Sequence, residues 1–167
     1  MITYCNNTFL RKHRSRFEAA LTCETGRIKV ELLDMAGHLI RRLHQFSFQI
    51  FQQRMEEAGY NLTPVQFATM QALQSNPGMD QAQVAAMIAY DRATIGGVID
   101  RLEQKGYVSR VVSRRDRRAR EVSLSAEGRQ VFNKVYPIVE LLQEDILGKL
   151  SDGERAQLLA LMTKALA

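Results

Sequence analysis

From about Ile28 to Glu57 the apolar side chains return every three or four residues: Leu32, Met35, Leu39, Leu43, Phe46 and Ile50, with Leu33, Ile40 and Phe51 widening the stripe. That period predicts a long amphipathic helix with more apolar face than one small core can cover. Gly59 marks its end. Three shorter helices follow, each with a start signal. Thr63-Pro-Val-Gln66 offers an N-cap threonine, a proline at the first helical position and a glutamine three residues after the cap, predicting a helix over 63–74. Asp80-Gln-Ala-Gln83 repeats the cap and the returning glutamine after an Asn76-Pro-Gly turn, and Asp91 caps the third. A short helix (81–88), a tight connection at Ala89-Tyr90 and a longer helix (92–105) have helix-turn-helix spacing.

In that longer helix Ile95, Val98, Ile99 and Leu102 share one face and are expected to pack inward. Ala93, Gly97, Asp100, Arg101 and Gln104 then face outward, flanked by Arg92, Thr94 and Gly96. After the Gly106 stop, Tyr107–Val112 and Arg120–Leu124 alternate as two short strands around an arginine-packed turn, a β-hairpin wing. Ser125 caps a further helix whose stripe is Val131, Phe132, Val135, Ile138, Val139, Leu142 and Ile146, with a kink expected at Pro137. Ser151-Asp-Gly-Glu154 opens the last helix, which runs through Leu158, Leu159, Leu161, Met162 and Leu166. The fold class expected is mainly α with a small β-hairpin wing: a winged helix-turn-helix (59–125) between N- and C-terminal dimerisation helices (28–58 and 126–167). Their broad apolar faces have no third layer to cover them, so they are expected to pair across a two-fold axis as a homodimer.

Charge adds a partner. The net charge is +5, and between Arg101 and Glu121 eight basic residues (Arg101, Lys105, Arg110, Arg114, Arg115, Arg117, Arg118, Arg120) stand against three acids. Clustering of this kind suits the phosphates of double-stranded DNA, and the helix before it suits a major groove. Arg114, Arg115, Arg117 and Arg118 in one turn repel each other unless an anion is near; a merely solvated hairpin is the competing reading. Asp100, facing outward, would oppose phosphate and is expected to pair with a nearby arginine. Residues 1–27, basic at Arg11-Lys-His-Arg-Ser-Arg16, read as a poorly ordered arm or an overextended start of translation.

Other classes find less support. No stretch approaches the roughly 18 apolar residues of a membrane span, no secretory signal is recognisable, and a reducing cytoplasm is the simplest home for Cys5 and Cys23, which form no CxxC. His13, His38 and His44 lack metal-ligand spacing, so neither a metal nor a cofactor is expected. There is no nucleophile–base constellation and no phosphate-cradling glycine loop, so no catalytic residues are expected.

In their order and spacing, Leu62-Thr-Pro-Val-Gln66, Val98-Ile-Asp-Arg-Leu-Glu-Gln-Lys-Gly-Tyr-Val108 and Asp116-Arg-Arg118 running into Val122-Ser-Leu-Ser125 resemble the MarR family of bacterial transcription regulators over roughly residues 30 to 166. The resemblance implies a repressor that releases a pseudo-palindromic operator when a small ligand binds. It implies major-groove contacts from Arg92, Ala93 and Thr94, with Arg101 sharing the base reading. Asp116-x-Arg118 matches the family's wing signature, in which the arginine enters the minor groove and the aspartate braces a neighbouring basic side chain. Gly97 departs from the pattern, since the family often has a polar or basic residue there. The two adjacent glycines cost about 1 kcal/mol each against alanine, which implies a close approach of backbone to DNA or to a neighbouring helix, or a simply weak position. The resemblance also implies an effector cleft for an aromatic acid or acyl-coenzyme A thioester between the first helix, the 63–74 helix and the Pro137 helix. His38, Arg41, Arg42, His44, Phe48, Phe67 and Met70 are its candidate lining. For any one of these residues the competing reading, ordinary core or a surface cation, is the stronger. Two alternatives stay open beside the ligand-released repressor: a redox-sensing repressor using Cys5 and Cys23, and a dimeric interaction module without DNA binding.

Overall fold

The computed structural model describes residues 32–112 and 120–167. It divides into two units, Met1–Arg41 and Arg42–Ala167. In the first, Leu32–Asp34 form a 3₁₀ turn and helix α1 (Ala36–Glu57) begins. The helix therefore starts at Ala36, later than the periodicity predicts. A 3₁₀ turn repeats every three residues, so apolar spacing alone does not separate it from an α-helical turn. Met35 N–H donates to the Leu32 carbonyl at 3.3 Å, and the Met35 carbonyl accepts from His38 and Leu39 at 3.0 Å each.

In the second unit α1 ends where glycine allows. Gly59 has φ +75°, its N–H reaches the Glu56 carbonyl at 3.0 Å, and Tyr60 N–H reaches Met55 O at 2.8 Å, a Schellman closure. Helices α2 (Pro64–Ser75) and α3 (Gln81–Met87) carry the two expected capping boxes. Thr63 Oγ1 accepts from Gln66 N at 3.3 Å while Gln66 Oε1 accepts from Thr63 N at 3.2 Å. Asp80 Oδ1 takes the N–H groups of Ala82 and Gln83 at 2.8 and 2.9 Å. Helix α4 (Arg92–Gln104) leads into the wing strands.

The sheet has one strand more than the sequence pattern offers. The two-residue β1 (Met79–Asp80) pairs antiparallel with β3 (Arg120–Leu124), which pairs antiparallel with β2 (Val108–Val112), giving the order β1-β3-β2. Met79 lies opposite Val122, and Val122 opposite Arg110. Two residues are too few to show alternation, so only the tertiary fold reveals β1. It pins the base of the wing to the start of α3, with Gly78 N–H donating to Ser123 Oγ at 3.0 Å.

Helix α5 (Ala126–Ile146) runs through Pro137 as one element, and α6 (Asp152–Leu166) closes the chain. Ile95, Ile99 and Leu102 of α4 join Met70 and Leu73 of α2, Val84 of α3, Val122 of β3 and Val135 of α5 in one core. Each is 1% exposed or less, so α4 is seated by a face that cannot turn without exposing several large side chains. Helix α6 buries none of its own residues. Leu159, Leu161 and Leu166 are 56, 55 and 86% exposed, and on α1 Phe46 and Phe48 are also open.

Candidate nucleic-acid interface

The turn between α3 and α4 sets the angle at which α4 is presented. Ile88 caps α3, and Ala89 then takes φ 56°, a left-handed conformation that costs a non-glycine residue about 1–2 kcal/mol. Tyr90 N–H donates to Ala85 O at 2.9 Å across this closure. A second brace crosses the motif: Gln81 Nε2, at the start of α3, donates to the Arg92 carbonyl at 2.8 Å. A Cβ on Gly96 would lie 2.9 Å from that same nitrogen. Gly96 therefore leaves room for the Gln81 side chain of the neighbouring helix. Gly97 has nothing within 4 Å of where a Cβ would stand and faces outward.

With Ile95, Val98, Ile99 and Leu102 buried, Arg92, Ala93, Thr94 and Arg101 are all exposed. Asp91 organises the helix start: Oδ1 accepts from Thr94 N at 2.8 Å, and Oδ2 accepts from the Thr94 hydroxyl. These bonds to Thr94 hold the Asp91 carboxyl below its usual range, the side-chain one most. The exposed start of α4 is thus acidic at Asp91 and basic at Arg92, and Arg101 stands in the helix's last turn.

Among the described residues, two of the clustered cations, Arg110 and Lys105, have structural work. Arg110, on β2, pairs with Asp100 and, at 3.2 Å, with Glu103, which bears out the expectation that Asp100 serves an arginine. The pairs tie β2 to the outer face of α4 and neutralise two exposed carboxylates there. Lys105, at the C-cap of α4, turns back to the Asn61 carbonyl and to Gln66 Oε1 at 3.2 Å. Burial first, and the Arg101 charge second, push its ammonium pKa down. The sequence signalled an arginine partner for Asp100 but not which arginine, and it gave no sign of the Glu103 pair or of the Lys105 bonds. The wing residues Arg114, Arg115, Asp116, Arg117 and Arg118 lie outside the described residues, as do Cys5, Cys23 and the 1–27 arm.

The candidate effector lining is placed on different layers. In the second unit, Arg42, His44 and Phe48 are exposed on α1, whereas Phe67 and Met70 of α2 are buried in the core. Phe67 stacks on Phe132 of α5 at 5.5 Å between centroids and meets Phe51 at 6.2 Å. In the first unit, His38 is half-buried and Arg41 exposed. A separate hollow near the ends of α1 and α5 is open to solvent and lined by Arg54, Ile138, Leu141 and Asp145 among others. Arg54 closes one side of it through Nε and Nη2 to Asp145 Oδ2, at 3.0 and 2.8 Å.

A family model, described as the MarR family, matches residues 60–119. The HTH-type transcriptional repressor NicR of Pseudomonas putida is 32% identical over 134 residues, which are 80% of this chain and 84% of that protein. Among solved structures, BpsR of Bordetella bronchiseptica, whose DNA binding is regulated by 6-hydroxynicotinic acid, superposes with TM-score 0.76 at 30% identity. The match covers 81% of this chain and 95% of BpsR. The PcaV regulator of Streptomyces coelicolor in complex with its natural ligand gives TM-score 0.76 at 28% identity, over 84% and 97% of the two chains.

Proposed function

The chain belongs to the MarR family of transcription regulators, and from that premise we propose that it is a homodimeric repressor that leaves its operator when a small aromatic acid binds. The observation that carries the reading is the outer face of α4. A helix whose opposite face is locked into the core presents Arg92, Ala93, Thr94 and Arg101 together, beside a wing strand held by the Arg110 pairs. Two such helices, about 34–36 Å apart in a dimer, would enter successive major grooves on one side of a duplex. Residues 59–125 then act as the DNA-binding part. Wing residues Arg114, Arg115, Asp116, Arg117 and Arg118 supply the flanking contacts, preferring minor grooves narrowed by A·T-rich sequence.

The exposed apolar residues of α1 and α6 support the dimer, because a helix that buries none of its residues within its own chain has little reason to stay folded alone. The ligand class rests on the regulation of BpsR by 6-hydroxynicotinic acid. In the second unit of this chain the cations Arg42 and His44 would meet the carboxylate. Phe48, Phe67 and Met70 would form apolar walls, the last two as a floor uncovered only if α1 and α2 part. Release then follows from differential affinity: a ligand that favours mis-spaced recognition helices weakens DNA binding by the same factor that DNA weakens ligand binding.

Anisotropy of a labelled duplex from the DNA beside the gene, titrated with protein, then salt, then aromatic acids, tests this. Selective binding with a steep salt dependence, relieved by an aromatic acid, is expected. Absence of any selective binding would overturn the regulator reading, and relief by oxidant alone would replace the ligand with Cys5 or Cys23.

A further inference from the structure

The polarity of one side chain on the α4 face is decided by its neighbour. A threonine hydroxyl has one proton to donate and two lone pairs that accept. In this chain the Thr94 proton is committed: the hydroxyl donates to Asp91 Oδ2, while Asp91 Oδ1 takes the Thr94 backbone N–H. Both residues are exposed, so what Thr94 offers outward is its lone pairs and its methyl group, and no donor. In a major groove the groups that can answer an acceptor are adenine N6–H2 and cytosine N4–H2, whereas guanine N7 and O6 and thymine O4 can answer only a donor.

We propose that Asp91 sets the base preference of this regulator by holding Thr94 as an obligate acceptor, so that Thr94 selects adenine or cytosine at one position of each half-site. The inference rests on the reading of α4 as the recognition helix. Asp91 is a positioning residue in this scheme, because it acts through Thr94 and need touch no base. Its carboxyl is held ionised by the same two bonds, so the arrangement persists at neutral pH.

The inference makes a reversal available. Asparagine caps a helix as well as aspartate does. Asp91→Asn keeps an oxygen for the Thr94 N–H but presents an NH2 group to the Thr94 hydroxyl. The hydroxyl must then accept from Asn and turn its proton outward, which converts Thr94 from acceptor to donor. The test is selection by the full-length protein from duplexes randomised across the binding site, performed for wild type, Asp91→Asn, Thr94→Val, Thr94→Ser and the Asp91→Asn/Thr94→Val double variant. Each is first checked for unchanged thermal unfolding.

The wild type and Thr94→Ser are expected to prefer adenine or cytosine at one position per half-site, by about three- to tenfold for one hydrogen bond. Thr94→Val loses the preference there, and Asp91→Asn moves it toward guanine or thymine. In the double variant Asp91→Asn has no effect on preference, because its route through Thr94 is gone. Removing the Asp91 charge also strengthens binding to all sequences alike, which a merely electrostatic role would produce without moving any base preference. Selective wild-type binding with the same preferences in Asp91→Asn and Thr94→Val overturns the inference alone. Absence of selective wild-type binding overturns the regulator reading and the inference with it.

Discussion

Replacing glycine by alanine at two helical positions of this chain should move stability in opposite directions. In a helix interior alanine is favoured over glycine by about 0.8–1.0 kcal/mol. At Gly97 nothing lies within 4 Å of the new methyl group, so Gly97→Ala should keep that whole gain. The melting temperature of a domain of this size should then rise by about 2–4 °C. At Gly128 the new Cβ would stand 1.9 Å from the Tyr107 carbonyl oxygen, 2.7 Å from its carbon and 2.9 Å from its Cα. All three are backbone atoms, so no rotamer change relieves the contact, and the start of α5 must move away by about 1.5 Å to restore ordinary packing. That movement strains the bond from Ser125 N to Tyr107 O at 3.0 Å and the bond from the Ser125 hydroxyl to the Gly106 carbonyl. Overpacking costs about 1–3 kcal/mol and each weakened hydrogen bond up to about 1 kcal/mol more. Set against the propensity gain, Gly128→Ala should be less stable than wild type by about 1–3 kcal/mol. Urea unfolding followed by circular dichroism at one fixed protein concentration is the assay, since dimer dissociation makes the midpoint concentration-dependent. A Gly128→Ala protein as stable as wild type, or a Gly97→Ala protein less stable, would refute the packing argument.

Four further outcomes are expected. Ala89→Gly relieves the left-handed strain of the helix-turn-helix turn and should stabilise the fold by about 0.5–1 kcal/mol, read as a higher urea midpoint; a lower midpoint would contradict the strain. Arg110→Met breaks the pairs to Asp100 and Glu103. For such exposed partners this costs only about 0.2–1 kcal/mol, yet it leaves two carboxylates facing phosphate, so DNA affinity should drop more than stability does; equal, small effects would show that the pairs do not shield the DNA face. The carboxyls of Asp91 and Glu154 are lowered by their bonds to Thr94 and Ser151. Their contribution is therefore complete above the unfolded carboxylate range and is lost as pH falls through the folded values, so thermal stability should decline below about pH 4. That decline should be shallower in Asp91→Asn. Finally, Leu159→Glu/Met162→Glu places charge on the open face of α6 and should shift the protein from dimer to monomer in sedimentation equilibrium; an unchanged dimer would move the interface elsewhere.

What the sequence determined by itself were the caps, stops and helix faces written in local chemistry. The capping residues Thr63, Asp80, Asp91 and Ser125 sit at the helix starts that they signal, because an N-cap bond closes within three residues of chain. The inward face of α4 follows from a 3.6-residue period that one helix must obey whatever surrounds it, and the Gly59 and Gly106 stops follow from backbone conformation. Tertiary structure decided what depends on chain brought from afar. Strand β1 exists because Met79 finds Val122, and Gly128 is needed because Tyr107 arrives beside it. Lys105 leaves the outward cluster of cations because the Asn61 carbonyl lies within its reach, and Arg110 leaves it because β2 returns along the outer face of α4. Side-chain type announces which bonds a residue can make. Which of them it does make depends on partners 10 to 45 residues away in the chain, and no local pattern carries that distance.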